Sequence, residues 1–313
     1  MHRMKKWFLI LLVIATAAII SIFVFIPGEI TIAGDKKVNC PAASISRLFE
    51  NPDAIQKWWP GEIINDTVCM YQGYRYTIPK SKSGSLAIQT SSGQLTITGE
   101  IAALQLYRDT CAIEYRYLPF APGLNPIHKL DYYFKAIAIK EQLETILTAL
   151  KQFAEKNENI YGLTILQTKV KDSSLISTSK TFNQFPTDEE VAKLIDKLKA
   201  YISLKGGVEK DFPMLNINIS MENTYEVMVA IPLVKDIPAN GDIILKKMVL
   251  GNILEAKVTG GQSSILKGEE ALKKFMIDYN KASPAVPFQL LVTDRIQVKD
   301  TAQWITYVKY PVF

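Results

Sequence analysis

In residues 186–313 the pattern of hydrophobic and polar positions predicts the same succession of elements twice. In each copy apolar residues recur at three- and four-residue steps, which predicts a helix, and a short extended run and a longer strand follow. The predicted elements are residues 189–201, a run from 213, and 225–233 in the first copy, and residues 269–279, a run from 287, and 304–312 in the second. An offset of roughly 75 to 80 residues is too long for a solenoid repeat. We therefore expect two β-α-β-β units packed around a central groove.

The two closing strands and Gly260-Gly261 resemble motifs of the GyrI-like small-molecule-binding domain, which is also the effector-binding domain of AraC-type and multidrug-responsive regulators. The resemblance covers about the last 150 residues and implies a groove for apolar, often cationic or planar ligands. Many members carry a Glu in the second extended run and a Tyr two residues later, where this chain has Gln289 and Leu291. A buried carboxylate attracts a cation, whereas an amide only forms hydrogen bonds. This chain therefore departs from the family pattern, because it has no acid at this position either to select a cation or to support the hydrolase activity of some members.

The predicted ligand contacts are the aromatic, polar and apolar groups expected beside this groove. They are Tyr225, Glu226, Gln289, Leu291, Trp304 and Tyr310. An alternative for Tyr225 and Trp304 is that they are symmetry-related packing residues that join helix to sheet. No catalytic residue is predicted.

Residues 7–26 form an unbroken apolar run of twenty residues. At 1.5 Å per residue this run spans a hydrocarbon core of about 30 Å, which predicts a transmembrane anchor. A cleaved signal peptide is the alternative, but bulky apolar residues stand where a small-residue cleavage site would be. Arg3, Lys5 and Lys6 precede the run, so residues 1–6 are predicted to be a cytoplasmic tip and the bulk of the chain to be periplasmic or extracellular.

Residues 27–159 predict a strand over residues 29–38, a helix over residues 42–49, a second short helix that ends at Trp58-Trp59-Pro60, then five strands and an amphipathic helix over residues 140–156. The five strands are predicted over residues 70–78, 85–89, 94–98, 102–107 and 112–118, with a break at Gly99. This order, with the segment 38–42 and Trp58-Trp59-Pro60, resembles the START-like helix-grip family that includes polyketide cyclases. The resemblance implies a curved antiparallel sheet around the long helix, with a cavity for an apolar molecule between them. Trp58 and Trp59 would lie at the cavity rim, or else be ordinary core aromatics. The predicted fold class is α+β in both domains, 27–159 and 160–313.

Candidate chemistry is sparse. The net charge of +5 comes from dispersed basic residues and gives no nucleic-acid signature. The chain has two His, of which His128 is expected in a Pro-rich loop, and three Cys without metal-ligand spacing. Cys69 and Cys111 could pair across neighbouring strands or remain buried thiols. No phosphate loop, dinucleotide fingerprint or nucleophile elbow is present, and no metal or cofactor is predicted.

The sequence therefore favours a membrane-anchored, non-catalytic protein that binds an apolar small molecule. A hydrolase or cyclase acting on an apolar substrate in one of the two cavities is the alternative, and a scaffold with closed cavities is a third. A regulatory role would require an unidentified protein partner, since no DNA-binding module is present.

Overall fold

A computed structural model describes residues 2–79, 84–170 and 174–313, with the backbone alone for residues 2–6 and Pro52. Met1 and the side chains of the predicted cytoplasmic tip lie outside this description. The chain divides into two compact units, Met1–Lys156 and Asn157–Phe313, whereas the predicted boundary lay between residues 159 and 160. Each unit is built on its own antiparallel sheet, so the fold class is α+β, as predicted.

The first helix, α1 (His2–Phe25), is apolar around its whole circumference from Trp7 onward. Its side chains from Trp7 to Phe25 are exposed, apart from Ile22, which is half-buried. Among the described residues, Trp7–Phe25 is the one segment long and apolar enough to cross a membrane. By length and composition this segment meets the requirements for a membrane-spanning helix.

Seven strands form the sheet of the first unit within its described residues, in the order β1-β7-β6-β5-β4-β3-β2. In chain order the elements after α1 are β1 (Ala33–Val38), α2 (Ala42–Glu50), α3 (Pro52–Trp58), β2 (Glu62–Asn65), β3 (Val68–Tyr71), β4 (Tyr74–Thr77), β5 (Leu86–Ser92), β6 (Leu95–Tyr107), β7 (Thr110–Tyr117) and α4 (Pro126–Ala154). The two short helices lie close to their predicted positions. The sheet is a meander except for β1, which pairs with β7 at the edge.

Glycines explain two differences from the predicted strands. The expected single strand over residues 70–78 is a hairpin, because Gln72 and Gly73 both have positive φ, 47° and 80°, which turns the chain between β3 and β4. In contrast, β6 runs straight through Gly99, where a break was expected. A Cβ at Gly99 would lie 2.7 Å from the ring of Tyr117 on β7, so this glycine makes room for an aromatic neighbour rather than a turn.

Tyrosine side chains fill the space between α4 and the sheet of the first unit. Tyr76, which is fully buried, donates a hydrogen bond to Gln142 Oε1 at 2.6 Å, and Tyr115 donates one to Glu144 Oε1 at 3.1 Å. Burial raises the pKa of both phenols, and for Tyr115 the bond to Glu144 adds to this shift. These bonds join helix and sheet through the region where the START-like resemblance implied a cavity.

The long helix begins at Pro126, not at residue 140, so His128 lies in its first turn rather than in a loop. Asn125 caps this end, because its Oδ1 accepts hydrogen bonds from the backbone N–H groups of Ile127 and His128. The prediction missed this half because its outward face is apolar as well as its inward face, which removes the amphipathic signal.

The proposed pairing of Cys69 with Cys111 is wrong. Cys69 lies on β3 and Cys111 on β7, and three other strands separate them in the sheet. Both residues and Cys40 are buried and form no disulfide, and Cys111 lies beside Cys40, whose hydrogen bond lowers the pKa of Cys111. Burial raises the pKa of Cys69 to about 11, so this thiol stays protonated at neutral pH.

Eight strands form the sheet of the second unit within its described residues, in the order β12-β9-β11-β10-β14-β15-β13-β8. Its elements are α5 (Asn157–Tyr161), β8 (Ile165–Lys169), β9 (Ser174–Phe182), α6 (Asp188–Leu204), β10 (Met214–Ile219), β11 (Tyr225–Leu233), β12 (Ile244–Lys247), β13 (Asn252–Thr259), α7 (Gln262–Asp278), β14 (Phe288–Leu291) and β15 (Ile305–Val312).

The predicted duplication is confirmed, since β9-α6-β10-β11 and β13-α7-β14-β15 follow the same β-α-β-β order and meet at β10 and β14. The strand before each copy pairs with the other copy: β8 with β13, and β12 with β9. This exchange of edge strands ties the two copies into one sheet. Sequence patterns did not identify β8, β9, β12 or β13.

The two long helices of the second unit, α6 and α7, pack on the same face of its sheet. Thr187 and Glu190 form a reciprocal capping box at the start of α6. The other helix, α7, begins at Gln262, before the predicted residue 269, and continues through Gly268. A Cβ at Gly268 would lie 2.6 Å from Val258 Cγ2, so the glycine lets α7 lie close against β13. Separate apolar clusters lie beneath α6 and α7, which leaves the middle of the sheet between them open to a groove.

Candidate functional site

A groove of about 1280 Å³ lies where the two copies of the second unit meet. The central strands β10 and β14 pair through only two residue pairs, Met214 with Leu290 and Leu215 with Gln289. Beyond these pairs β10 continues to Ile219, and on the edge that faces β14 this part of the strand has no partner strand among the described residues. The short pairing therefore opens the middle of the sheet, and the groove is a direct result of the duplication.

One wall of the groove is a single face of α7. Its residues follow steps of four, three and four along the helix, which places them in one row. They are Gln262, Leu266, Glu269 and Lys273. This row adjoins the buried stripe of α7 that includes Ile265 and Leu272.

The polar centre of the groove consists of Gln289, Glu269 and Tyr310, all of which line it. Gln289 is buried and its Nε2 donates a hydrogen bond to Glu269 Oε1 at 3.1 Å. The Oε1 atom of Gln289 is buried and has no hydrogen-bond partner in the described part of the chain. Burial and the nearby Glu269 carboxylate raise the pKa of Tyr310 to about 12, so its hydroxyl stays protonated at neutral pH.

Aromatic rings form the opposite wall. The ring of Tyr225 on β11 contacts that of Phe185 edge to face, with centroids 5.6 Å apart. Both residues line the groove, and Phe185 is exposed. An edge-to-face aromatic pair beside a hydrogen-bonding centre is suited to holding a flat, apolar ligand.

Two further predicted residues have other positions. Glu226 borders the groove but lies on the opposite face of the sheet from Tyr225, because neighbouring residues of a strand alternate between faces. Leu291 packs in the apolar cluster beneath α6 and is absent from the lining of the groove. The structure therefore does not bring these two side chains to Gln289 and Glu269.

Trp304 also lies outside the lining of the groove. It is buried, its Nε1 donates to the backbone oxygen of Val298 at 2.8 Å, and the guanidinium of Arg295 lies 4.9 Å from its ring centroid. Arg295 also donates to Asp188 at 3.3 Å and to Thr306 Oγ1 at 3.2 Å. Trp304 and Arg295 thus fasten the long β14–β15 connection to the start of α6.

Trp58 and Trp59 lie in the first unit and are both buried. Trp59 packs edge to face on Tyr76, with centroids 5.2 Å apart, and donates from Nε1 to the backbone oxygen of Met70 at 3.3 Å. The Trp58 Nε1 has no hydrogen-bond partner among the described residues. A role for either ring at a cavity rim stays a prediction.

Sequence reasoning did not select Glu269 as a site residue. Its signal was available, because Glu269 lies four residues after Ile265 and three before Leu272, both on the buried stripe of α7. A carboxylate next to such a stripe faces the edge of the core rather than bulk solvent. Among the described residues, no group of three or more His, Cys, Asp or Glu side chains is placed to hold a metal ion.

No protein-family model matches the chain, and no curated protein matches it. Several solved structures do. The crystal structure of the EcmrR C-terminal domain is 14% identical, covers 48% of this chain and 98% of its own, and has a TM-score of 0.42. A hydrolase encoded by lin2189 from Listeria innocua is 12% identical, covers 48% and 91%, and has a TM-score of 0.38. A START superfamily protein from Mycobacterium smegmatis is 14% identical, covers 40% and 97%, and has a TM-score of 0.28.

Proposed function

We propose that this chain is a membrane-anchored binding protein for an apolar, planar small molecule that is held in the groove of the second unit. The observation that carries the proposal is the polar centre of that groove. A buried amide oxygen that has no partner among the described residues lies beside a carboxylate, in a cavity of about 1280 Å³ with an aromatic pair on one wall. A ligand that donates a hydrogen bond would satisfy the oxygen, and burial of its apolar surface would drive binding.

Glu269 favours a ligand with positive charge. Gln289 occupies the position at which many members of the GyrI-like family have an acid. Glu269 nevertheless supplies a carboxylate here, because its Oε1 lies 3.1 Å from Gln289 Nε2. Lys180, Lys246 and Lys273 also border the groove, and all three are exposed, so solvent screens their charge. The half-buried carboxylate next to Gln289 is screened less and dominates at the centre of the groove.

Three related probes test this proposal on the full chain in lipid nanodiscs. Acridine is planar and uncharged, N-methylacridinium adds a positive charge, and 9-aminoacridine in its cationic form adds N–H donors. Fluorescence titration should give the affinity order 9-aminoacridine, then N-methylacridinium, then acridine. If none of the three binds, the scaffold interpretation replaces the binding one.

The proposed membrane anchor is supported by the outward face of α4. Its first half exposes four apolar side chains at steps of three, four and three residues, each between 37% and 75% exposed: Ile127, Leu130, Phe134 and Ile137. The opposite face of α4 meets the end of α1, where Lys129 Nζ lies 4.8 Å from the ring centroid of Phe23. After residue 139 the outward face becomes charged, with Lys140 and Glu141. This arrangement fits a helix that lies on the surface of the bilayer that α1 spans.

The proposed orientation has the N-terminus in the cytoplasm and the two units outside it. Arg3, Lys5 and Lys6 before the apolar run support it. A reporter that is active only in the cytoplasm, fused after Phe313, should remain inactive. Activity of that reporter would reverse the orientation.

A hydrolase is the second candidate function, because Glu269 and Tyr310 place an acid and an aromatic hydroxyl in one groove. In that case Glu269 would activate water and the protonated Tyr310 would donate to the developing oxyanion. A panel of 4-nitrophenyl esters tests this alternative. Turnover that is lost in Glu269→Gln and kept in Glu270→Gln would support the enzyme, since Glu270 is exposed and paired with Lys274.

A further inference from the structure

The second unit has another cavity, of about 310 Å³, on the sheet face opposite α6 and α7. Side chains that alternate with the helix-facing core positions point to this face, and Met214, Ala230 and Leu290 form a small buried cluster there with Leu175. We call this cavity the rear pocket and define it by six of its lining residues: Met214, Met228, Ala230, Met248, Val286 and Phe288. Its volume is at the lower end of the range for ligand sites, about 300–1000 Å³.

The walls and mouth of the rear pocket are apolar. Three methionines line it, and their flexible thioether side chains adapt to ligands of different shape. At the mouth, Val249 and Leu250 of the β12–β13 loop are 64% and 62% exposed, and the C-terminal Phe313 is also exposed. Exposed apolar side chains grouped at the entrance of an apolar cavity indicate a binding surface rather than ordinary solvent-facing positions.

Two lysines, Lys246 and Lys247, line this entrance, and among the described residues Lys246 has no anionic partner. Lys246 lines the rear pocket, and its Nζ lies 3.2 Å from the sulfur of Met228, which is a weak acceptor. Lys247, the next residue, forms an ion pair with Asp236 at 3.8 Å, whereas no carboxylate in the described part of the chain pairs with Lys246. Six residues border both the rear pocket and the groove, so a test must show which cavity is occupied. They are Leu215, Asn216, Met228, Lys246, Val286 and Phe288.

We propose that the rear pocket binds a single-chain amphiphile with an anionic head group, such as a medium-chain carboxylate. The alkyl chain fills the apolar cavity and the carboxylate pairs with Lys246 at its mouth. Affinity rises about fourfold with each added methylene until the pocket is full, and falls for longer chains. The rear pocket shares part of its lining with the groove, but this proposal does not depend on the proposed function of the groove.

Photolabelling of the full chain in nanodiscs tests the proposal, with decanoic acid that carries a diazirine at its terminal carbon as the probe. After illumination, mass spectrometry should place label on residues 248–251 of the β12–β13 loop and on residues 284–285, which line the rear pocket and not the groove. Excess decanoate should remove this label, and decyltrimethylammonium should not. Labelling confined to α1, or displaced equally by both competitors, would overturn the proposal.

Substitutions test separately how the head group and the alkyl chain of the ligand contribute to binding. Lys246→Glu should reduce labelling at least about fivefold, Lys246→Arg should retain it, and Lys267→Glu, the same charge change at an exposed position on α7, should leave it unchanged. Ala230→Leu should reduce labelling by filling the cavity, while the groove still binds N-methylacridinium. Unchanged labelling in both Lys246→Glu and Ala230→Leu would refute the site, whatever the groove binds.

Discussion

Gln289→Met should make the second unit more stable while weakening ligand binding. The buried Oε1 of Gln289 has no partner within the described chain, and a buried unpaired acceptor costs about 1–3 kcal/mol. Methionine has a similar volume and removes that cost. It also removes the bond from Nε2 to Glu269, but Glu269 is half-buried and solvent can replace part of this bond, so we assign its loss about 1 kcal/mol.

The net expectation is a stabilisation of about 1 kcal/mol, which corresponds to a rise in Tm of about 2–4 °C for a unit of this length. Gln142→Met is the matched control in the first unit. Gln142 is also buried, but its Oε1 accepts the hydrogen bond of Tyr76 at 2.6 Å, so its replacement leaves a buried hydroxyl unpaired. That change should lower the stability of the first unit by about 1–3 kcal/mol.

Differential scanning calorimetry of the full chain measures both shifts, and hydrogen exchange assigns each transition to a unit. Gln289→Met should also lose the preference for 9-aminoacridine over N-methylacridinium, since the amide oxygen would no longer accept the N–H of the ligand. A drop in stability of the second unit by about 2 kcal/mol in Gln289→Met would refute the reasoning. It would show that the amide oxygen is paired in the free protein and that Gln289 is structural.

Three other changes have defined outcomes. Arg295→Met should lower the stability of the second unit by about 2 kcal/mol in calorimetry, because it removes two hydrogen bonds and the cation–π contact with Trp304. The raised pKa of Tyr310, about 12, makes the second unit lose stability as pH rises from about 10 to 12, and urea unfolding of Tyr310→Phe should show a smaller loss over that window. A bimane label on Phe134→Cys should be quenched by brominated lipids, whereas a label on Gln152→Cys, on the same face of α4 five turns later, should not be quenched. Equal quenching of the two labels would contradict the proposal that the first half of α4 lies on the bilayer surface.

The duplication could be predicted because each of its elements has a recognisable local sequence pattern. The helical spacing before Tyr201 and the strand of residues 225–233 need no knowledge of the rest of the chain, and both lie where they were expected. The first half of α4 could not be predicted in the same way. Its outward face and its inward face are both apolar, which removes the helical periodicity from the sequence pattern.

The candidate site was predicted in part. Gln289, Tyr225 and Tyr310 line the groove together, and the resemblance to a family pointed to the first of them. Glu269 was missed because its role depends on how α7 packs across the sheet. Trp304 was predicted to lie at the groove because its position in the second copy is equivalent to that of Tyr225 in the first. It packs instead against Arg295 of the β14–β15 connection, which is longer than the corresponding β10–β11 connection of the first copy.

In the proposed function, Glu269 gives the groove its preference for a cationic ligand. The direct test is the ratio of the affinities for N-methylacridinium and acridine, measured by fluorescence titration in the wild type, Glu269→Gln and Glu270→Gln. The wild type and Glu270→Gln should prefer the cation about tenfold, or about 1.4 kcal/mol, and Glu269→Gln should bind both ligands equally. Equal binding of both ligands by the wild type, or the same preference in all three proteins, would contradict the account.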